Sequence, residues 1–185
     1  VESHIKQILE YVKSRGDEGI RELTLKYDGC KLSDFRVNET EVKNVLESTP
    51  STIINTFKHI KSNLFKFYER EKPIDWYVRV DEGINSGMIY RPFKRIGVYI
   101  PGGKAMYPTI VLRICVPAIV AGVEEIVLCS PPNKEGNISP GVLITAHILG
   151  IKEVYKIGGA QAIAAMAYGT ETIRKVQKIS GVGSI

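Results

Sequence analysis

Arg95-Ile-Gly-Val-Tyr-Ile-Pro-Gly-Gly103 and Ile157-Gly-Gly-Ala-Gln-Ala-Ile-Ala-Ala-Met-Ala-Tyr-Gly-Thr-Glu-Thr172 bracket a region where short apolar runs alternate with longer helical patterns. Ile96 to Ile100 reads as a strand, Pro101-Gly-Gly103 as a loop, and Thr109 to Ala121 as a helix ended by Gly122. The unit then repeats. Glu125 to Ser130 is a second strand, a polar loop runs from Pro131 to Asn137, and Ser139-Pro140 supplies an N-cap with proline at the first helical position. That helix closes at Gly150. Val154 to Ile157 is a third strand, Gly158-Gly159 a turn, Ala160 to Tyr168 a helix of small residues ended by Gly169, and Val176 to Ile179 begins a fourth strand. Strands recurring at roughly 25 to 30 residues with a helix between them are βαβ units, and right-handed crossovers lay them in one parallel sheet. The expected fold class is α/β: an N-terminal helical segment followed by a Rossmann-like parallel sheet.

Working outward toward the N-terminus, the period changes. Trp76, Val78 and Val80 alternate, Asp81-Glu-Gly83 turns the chain, and Met88 and Tyr90 follow before Pro92, which reads as a β-hairpin. Before it, Ile5, Ile8, Leu9 and Val12 form one helical stripe that stops at Gly16, and a second short helix runs through Ile20, Leu23 and Leu25 to the turn Tyr27-Asp-Gly29. Val42, Val45 and Leu46, then Ile53, Ile54, Phe57 and Ile60, then Leu64, Phe65 and Tyr68 keep helical spacing to Lys72, where Pro73 breaks it. Two regions are expected: residues 1–93, helical with a hairpin and read as part of an incomplete second α/β domain, and residues 94–185, a Rossmann-like domain cut short at its C-terminal end. The chain opens at Val1 without methionine and stops inside the pattern Gly181-Val-Gly-Ser-Ile185, so it is expected to be a piece of a longer polypeptide.

Composition narrows the function classes. A chain of 185 residues, 44% hydrophobic and 24% charged, buries roughly 70% of the surface its unfolded form exposes, so it needs no disulfide or metal for stability. The formal charge of +5 is spread singly among Asp and Glu rather than gathered in a basic block, and no nucleic-acid partner is expected. Cys30, Cys115 and Cys129 are odd in number and widely spaced, the usage expected of a reduced, intracellular chain. The most apolar window, Thr109 to Cys129, contains Arg113, Pro117, Glu124 and Glu125, so neither a membrane span nor a signal peptide is expected.

Ligands of parallel sheets bind outside the carboxyl ends of the strands. The loops at those ends are Pro101-Gly102-Gly103 with Lys104, Ser130 to Asn137, Gly158-Gly-Ala-Gln161 and Gly181-Val-Gly-Ser184. Glycine lets backbone N–H groups approach phosphate oxygens, with a helix N-terminus behind them; glycine also simply makes tight strand-to-helix turns. Spacing leaves both readings open, because no loop matches Gly-x-Gly-x-x-Gly. Gln161 stands at a helix start, where its amide either caps the backbone or meets a ligand, and Tyr99 reads as a core tyrosine with a satisfied hydroxyl. His4, His59 and His147 have no ligand or base at helical spacing and read as structural, His147 by packing.

The wording of these segments adds what spacing does not. Arg95 to Pro108, Pro117 to Pro132 and Ile157 to Thr172 closely resemble histidinol dehydrogenase, and Arg15-Gly-Asp-Glu18 and Lys26-Tyr-Asp-Gly29 are similar to that family's early helical segment. The resemblance implies a cytoplasmic, zinc-dependent, homodimeric enzyme that oxidises L-histidinol through the aldehyde to L-histidine, with two hydride transfers to NAD. It implies NAD contacts at Tyr99 and Gln161, with Pro101, Gly102 and Gly103 in the same loop. The family's third contact, an asparagine in Gly-Pro-Gly-Asn, falls on Ser184, whose shorter side chain reaches less far. By the same resemblance the zinc ligands, the Glu-His acid–base pair and the histidinol contacts lie beyond Ile185, so this polypeptide alone is expected to be inactive. The alternative is a nucleotide-binding or scaffold module that keeps the fold without the chemistry.

Overall fold

The computed structural model describes residues 2–102 and 108–183. Four parallel strands, β3 (Arg95–Tyr99), β4 (Glu125–Ser130), β5 (Glu153–Lys156) and β6 (Lys178–Gly181), form one sheet in the order β5-β4-β3-β6. β1 (Trp76–Asp81) and β2 (Ile84–Met88) form the separate antiparallel hairpin expected from the alternation. Between the parallel strands lie α4 (Pro108–Ala121), α5 (Pro140–Ile148) and α6 (Gly159–Tyr168). The chain steps outward from β3 to β4 to β5, then returns across the sheet to place β6 on the other side of β3. This is the order of half a doubly wound sheet, and its reversal between β3 and β6 marks where a ligand crevice opens.

Each strand divides its side chains between two apolar layers. Ile96, Val98, Ile100, Leu128 and Val154 face α4 and α5, packing on Val111, Cys115, Val142 and Leu143. Val127, Cys129, Tyr155 and Ile157 face the opposite layer, where Ala162, Ala165 and Met166 of α6 meet Ile8, Val12, Ile20 and Leu23 of α1 (Glu2–Asp28). Small residues on α6 allow this close approach. At Gly97 a Cβ would lie 2.5 Å from Met166 Sδ, so β3 carries no side chain there.

The first helix stops at Gly16, as its apolar stripe suggests, and a second helical segment follows at once across a kink, the two together making up α1. Gly16 has φ 53° and ψ −132°, a left-handed value that glycine alone adopts without cost, and α1 continues to Asp28 with its new direction. The bend is held from far along the chain. Glu171 accepts the backbone N–H of Asp17 at 2.8 Å, and the Thr172 hydroxyl donates to the Asp17 carboxylate. The segments Arg15-Gly-Asp-Glu18 and Gly169-Thr-Glu-Thr172 are thus each other's partners.

After α1, residues 35–37 run along the outer edge of β5. Lys156 N donates to Phe35 O at 2.7 Å and Val37 N donates to Val154 O at 2.9 Å, which covers an edge that would otherwise offer unpaired groups. The boundary at 93/94 follows the change of pattern, while packing crosses it. α2 (Glu39–Ser48) opens with a capping box between Asn38 and Glu41 and lies on α5; α3 (Ser51–Glu71) lies on α4. Neither α2 nor α3 has a buried residue, and the hairpin is exposed throughout.

Two local expectations need correction. Ser139 stands at the N-cap of α5 but makes no capping hydrogen bond, and its hydroxyl is buried without a partner. The fourth strand starts at Lys178, two residues later than the apolar run suggests: Val176 N bonds Met166 O, and the Gln177 side chain accepts the N–H groups of Lys94 and Arg95. No helix of the described residues is long and apolar enough to cross a membrane.

Candidate functional site

At the carboxyl end of the sheet, a cleft of about 1090 Å³ is lined by Tyr99, Pro101 and Gly102 after β3, Ser130 to Asn133 after β4, Gly159 at the start of α6, Gly183 after β6, and Ser139 before α5. The α2 side contributes Glu41 and Val45, and the C-terminal end of α1 contributes Asp28. This is the position that the strand reversal defines.

Three loops close on one residue to shape the floor. A Cβ at Gly102 would overlap the Pro131 ring, and one at Gly158 would lie 2.6 Å from Pro131 Cβ and 3.0 Å from Asp28 Oδ1. Gly102 and Gly158 have no room for a side chain, because Pro131 and Asp28 fill the space. Gly159 differs. Its φ of 55° turns the chain into α6, and its N–H donates to the Tyr99 phenolic oxygen at 3.0 Å. Tyr99 therefore satisfies one of the free donors in the first turn of α6 and keeps its own proton for a further acceptor. Burial of the ring, opposed by that hydrogen bond, raises the Tyr99 pKa, so the phenol stays protonated.

Gln161 is 2% exposed and does not line the cleft. Its amide folds back over the first turn of α6, with Oε1 placed 2.8 Å from where a Gly159 Cβ would stand. Gly103, Lys104 and Ser184 lie outside the described residues. Of the residues singled out from the sequence, the structure brings Tyr99, Pro101 and Gly102 to one wall and sets Gln161 one residue behind it. Asp28, which sequence reasoning read only as part of a turn, joins them. Its signal was present in Lys26-Tyr-Asp-Gly29, but nothing local says that the carboxylate meets Gly158, some 130 residues away.

The remaining polar groups lie elsewhere. His4 is hydrogen-bonded to Tyr27 and His59 to Asn63, both on exposed helix surface, and His147, expected to pack, is exposed. Cys30, Cys115 and Cys129 are buried and form no disulfide; burial pushes the Cys115 thiol up to about 12 and that of Cys129 higher still. Neither is a nucleophile at neutral pH. Among the described residues no three His, Cys, Asp or Glu side chains gather as a metal ion would need.

At the opposite end of the sheet, Arg95 joins the strand starts. Its guanidinium grips Glu153 with both nitrogens at 2.7 and 2.8 Å and Glu125 at 2.6 Å, while Arg174 adds a second cation on Glu125 at 2.7 Å. The Arg95 grip holds both carboxyls below the usual range. This cluster fixes strand register, away from the cleft.

The fold and cleft define a Rossmann-like α/β protein with its open end shaped by glycine-rich loops. A family model described as histidinol dehydrogenase matches residues 1–185, and the chain belongs to the histidinol dehydrogenase family. It is 42% identical over 185 residues to the histidinol dehydrogenase of Oceanobacillus iheyensis, covering 100% of this chain and 43% of that protein. With the Bacillus subtilis enzyme it shares 43% identity over 181 residues, 98% of this chain and 42% of the relative. The crystal structure of histidinol dehydrogenase from Elizabethkingia anophelis superposes with a TM-score of 0.95 at 38% identity, covering 99% of this chain and 42% of that one. The chain thus spans less than half the length of these relatives.

Proposed function

We propose that this chain forms the cofactor-side portion of a histidinol dehydrogenase, holding NAD in the cleft at the ends of β3 and β4 for the oxidation of L-histidinol through the aldehyde to L-histidine. The observation that carries the reading is the Tyr99 hydroxyl seated on the Gly159 N–H at the first turn of α6, at the strand reversal where dinucleotides bind. NAD, when bound, supplies the acceptor for the two hydrides.

The chain's own residues bind and orient. Tyr99 offers its remaining proton to a cofactor oxygen, and the α6 N-terminus favours a negatively charged group beside it. Pro101 and Gly102 form the wall between this point and the β4 loop. Gln161, buried against Gly159 behind the cleft wall, belongs to the proposed set as the residue that backs the first turn of α6. Gly103 and Ser184 belong to the same proposed set. The described residues do not fit a zinc site, so no step is assigned to zinc in this part of the enzyme. The exposed apolar hairpin, with Trp76, Tyr77, Val78 and Ile84, supports a homodimeric assembly.

Calorimetry of the 185-residue chain tests the reading. NAD binds saturably, and Tyr99→Phe weakens it about fivefold, the loss of about one hydrogen bond. With L-histidinol and NAD together the chain alone produces no NADH. Failure to bind NAD at millimolar concentration overturns the cofactor assignment, and NADH formation overturns the assignment of the acid–base groups to sequence outside this chain.

A further inference from the structure

Among the described residues three buried side-chain oxygens have no hydrogen-bond partner: Thr24 Oγ1, Asp28 Oδ2 and Ser139 Oγ. Two of the three, Asp28 and Ser139, line the cleft. Asp28 is the costlier to leave so. It is a carboxylate, it is the last residue of α1, the end of a helix that disfavours an anion, and its second oxygen is packed against Gly158. Packing gains nothing from a charge in this place. A neutral residue of the same shape would cost less, which is the pattern of a group kept for binding.

The chemistry of the partner follows from the charge. Ionised Asp28 only accepts hydrogen bonds, so it repels phosphate and suits a ligand that presents hydroxyl donors. Dinucleotide folds place an acidic residue at the end of the second strand to accept the ribose hydroxyls, and there it also excludes a 2′-phosphate. In this chain the second strand, β4, runs into Ser130-Pro131-Pro132-Asn133-Lys134, which brings no carboxylate to the cleft. The acid arrives instead from α1, across the Pro131 floor, beside Gly158.

We propose that Asp28 accepts hydrogen bonds from the vicinal ribose hydroxyls of the dinucleotide and selects against a 2′-phosphate, an inference that rests on the NAD reading of the cleft. The negative end of α1 reinforces that exclusion. The role belongs to a residue outside the parallel sheet, so α1 acts as one wall of the cofactor site as well as a cover for α6.

The test compares NAD and NADP binding to wild type, Asp28→Asn and Asp28→Ser by calorimetry on the full 185-residue chain, with melting temperatures alongside and Tyr99→Phe as reference. Wild type binds NAD at least a hundredfold more tightly than NADP. Both Asp28 variants lose about tenfold in NAD affinity, bring NADP to within about tenfold of NAD, and melt no lower than wild type at pH 8. A structural role predicts a lower melting temperature and equal loss for both nucleotides, and either result overturns the proposal. If Tyr99→Phe weakens NAD while the Asp28 variants bind as wild type does, the Asp28 assignment fails and the cofactor site stands. If wild type binds neither nucleotide, the cofactor reading fails and this inference with it.

Discussion

At the residue scale, two charged groups at opposite ends of the sheet show opposite balances. Burial pushes the Asp28 carboxyl up to about 6, while the titratable groups sharing its cleft are Tyr99, Glu41 and Lys134. A raised carboxyl pKa means the folded state binds the proton more tightly, so ionisation costs stability as pH climbs past about 6, and the cost is absent below the unfolded value near 4. Asp28→Asn is therefore expected to melt about 2 to 4 °C above wild type at pH 8, with the gap closing by pH 4 in calorimetric scans. Arg95 has the reverse sign. Its side chain is only 7% exposed and serves two carboxylates whose pKa values it lowers, so its contribution is present above their unfolded pKa and fades as pH falls below about 4. Arg95→Met is expected to cost about 3 kcal/mol at pH 7, measured by denaturant unfolding, with the difference shrinking in acid.

At the scale of elements, the Gly16 bend ties α1 to the loop after α6. Any side chain at Gly16 meets the Glu171 carboxylate and must also hold a positive φ, so Gly16→Ala is expected to lose about 2 kcal/mol. Glu171→Ala removes the obstacle together with the bond to Asp17 N. The two changes combined are expected to cost less than their sum in urea unfolding; strict additivity would show that the bend and the loop do not act on each other. The limits of sequence reading are visible here too. The strands and helices after β3 were legible to within a few residues because Gly122, Gly150, Gly158 and Gly169 punctuate them. The joining of Gly16 to Glu171 was not, since periodicity gives a helix its apolar face but not its partner. Ser139 shows the same limit on a smaller scale, where the capping rule found the position and not the side-chain rotamer.

For the molecule as a whole, topology does most of the work. The return of the chain from β5 to β6 opens the crevice beside β3, and α1 and the β4 loop wall it off. Of the candidate site, Tyr99, Pro101 and Gly102 were legible from loop composition and family wording. Asp28 was not, because its meaning depends on α1 packing across the sheet and delivering its C-terminus beside Gly158. The exposed hairpin and α3 contribute no lining residue to the cleft. Amide NMR of the chain titrated with NAD shows whether the proposed cofactor occupies this cleft. With NAD in the cleft, the amides of Gly102, Gly158, Gly159 and Asp28 shift saturably while those of the hairpin stay unmoved; shifts confined to the hairpin or α3, or none at all, place NAD elsewhere or leave it unbound.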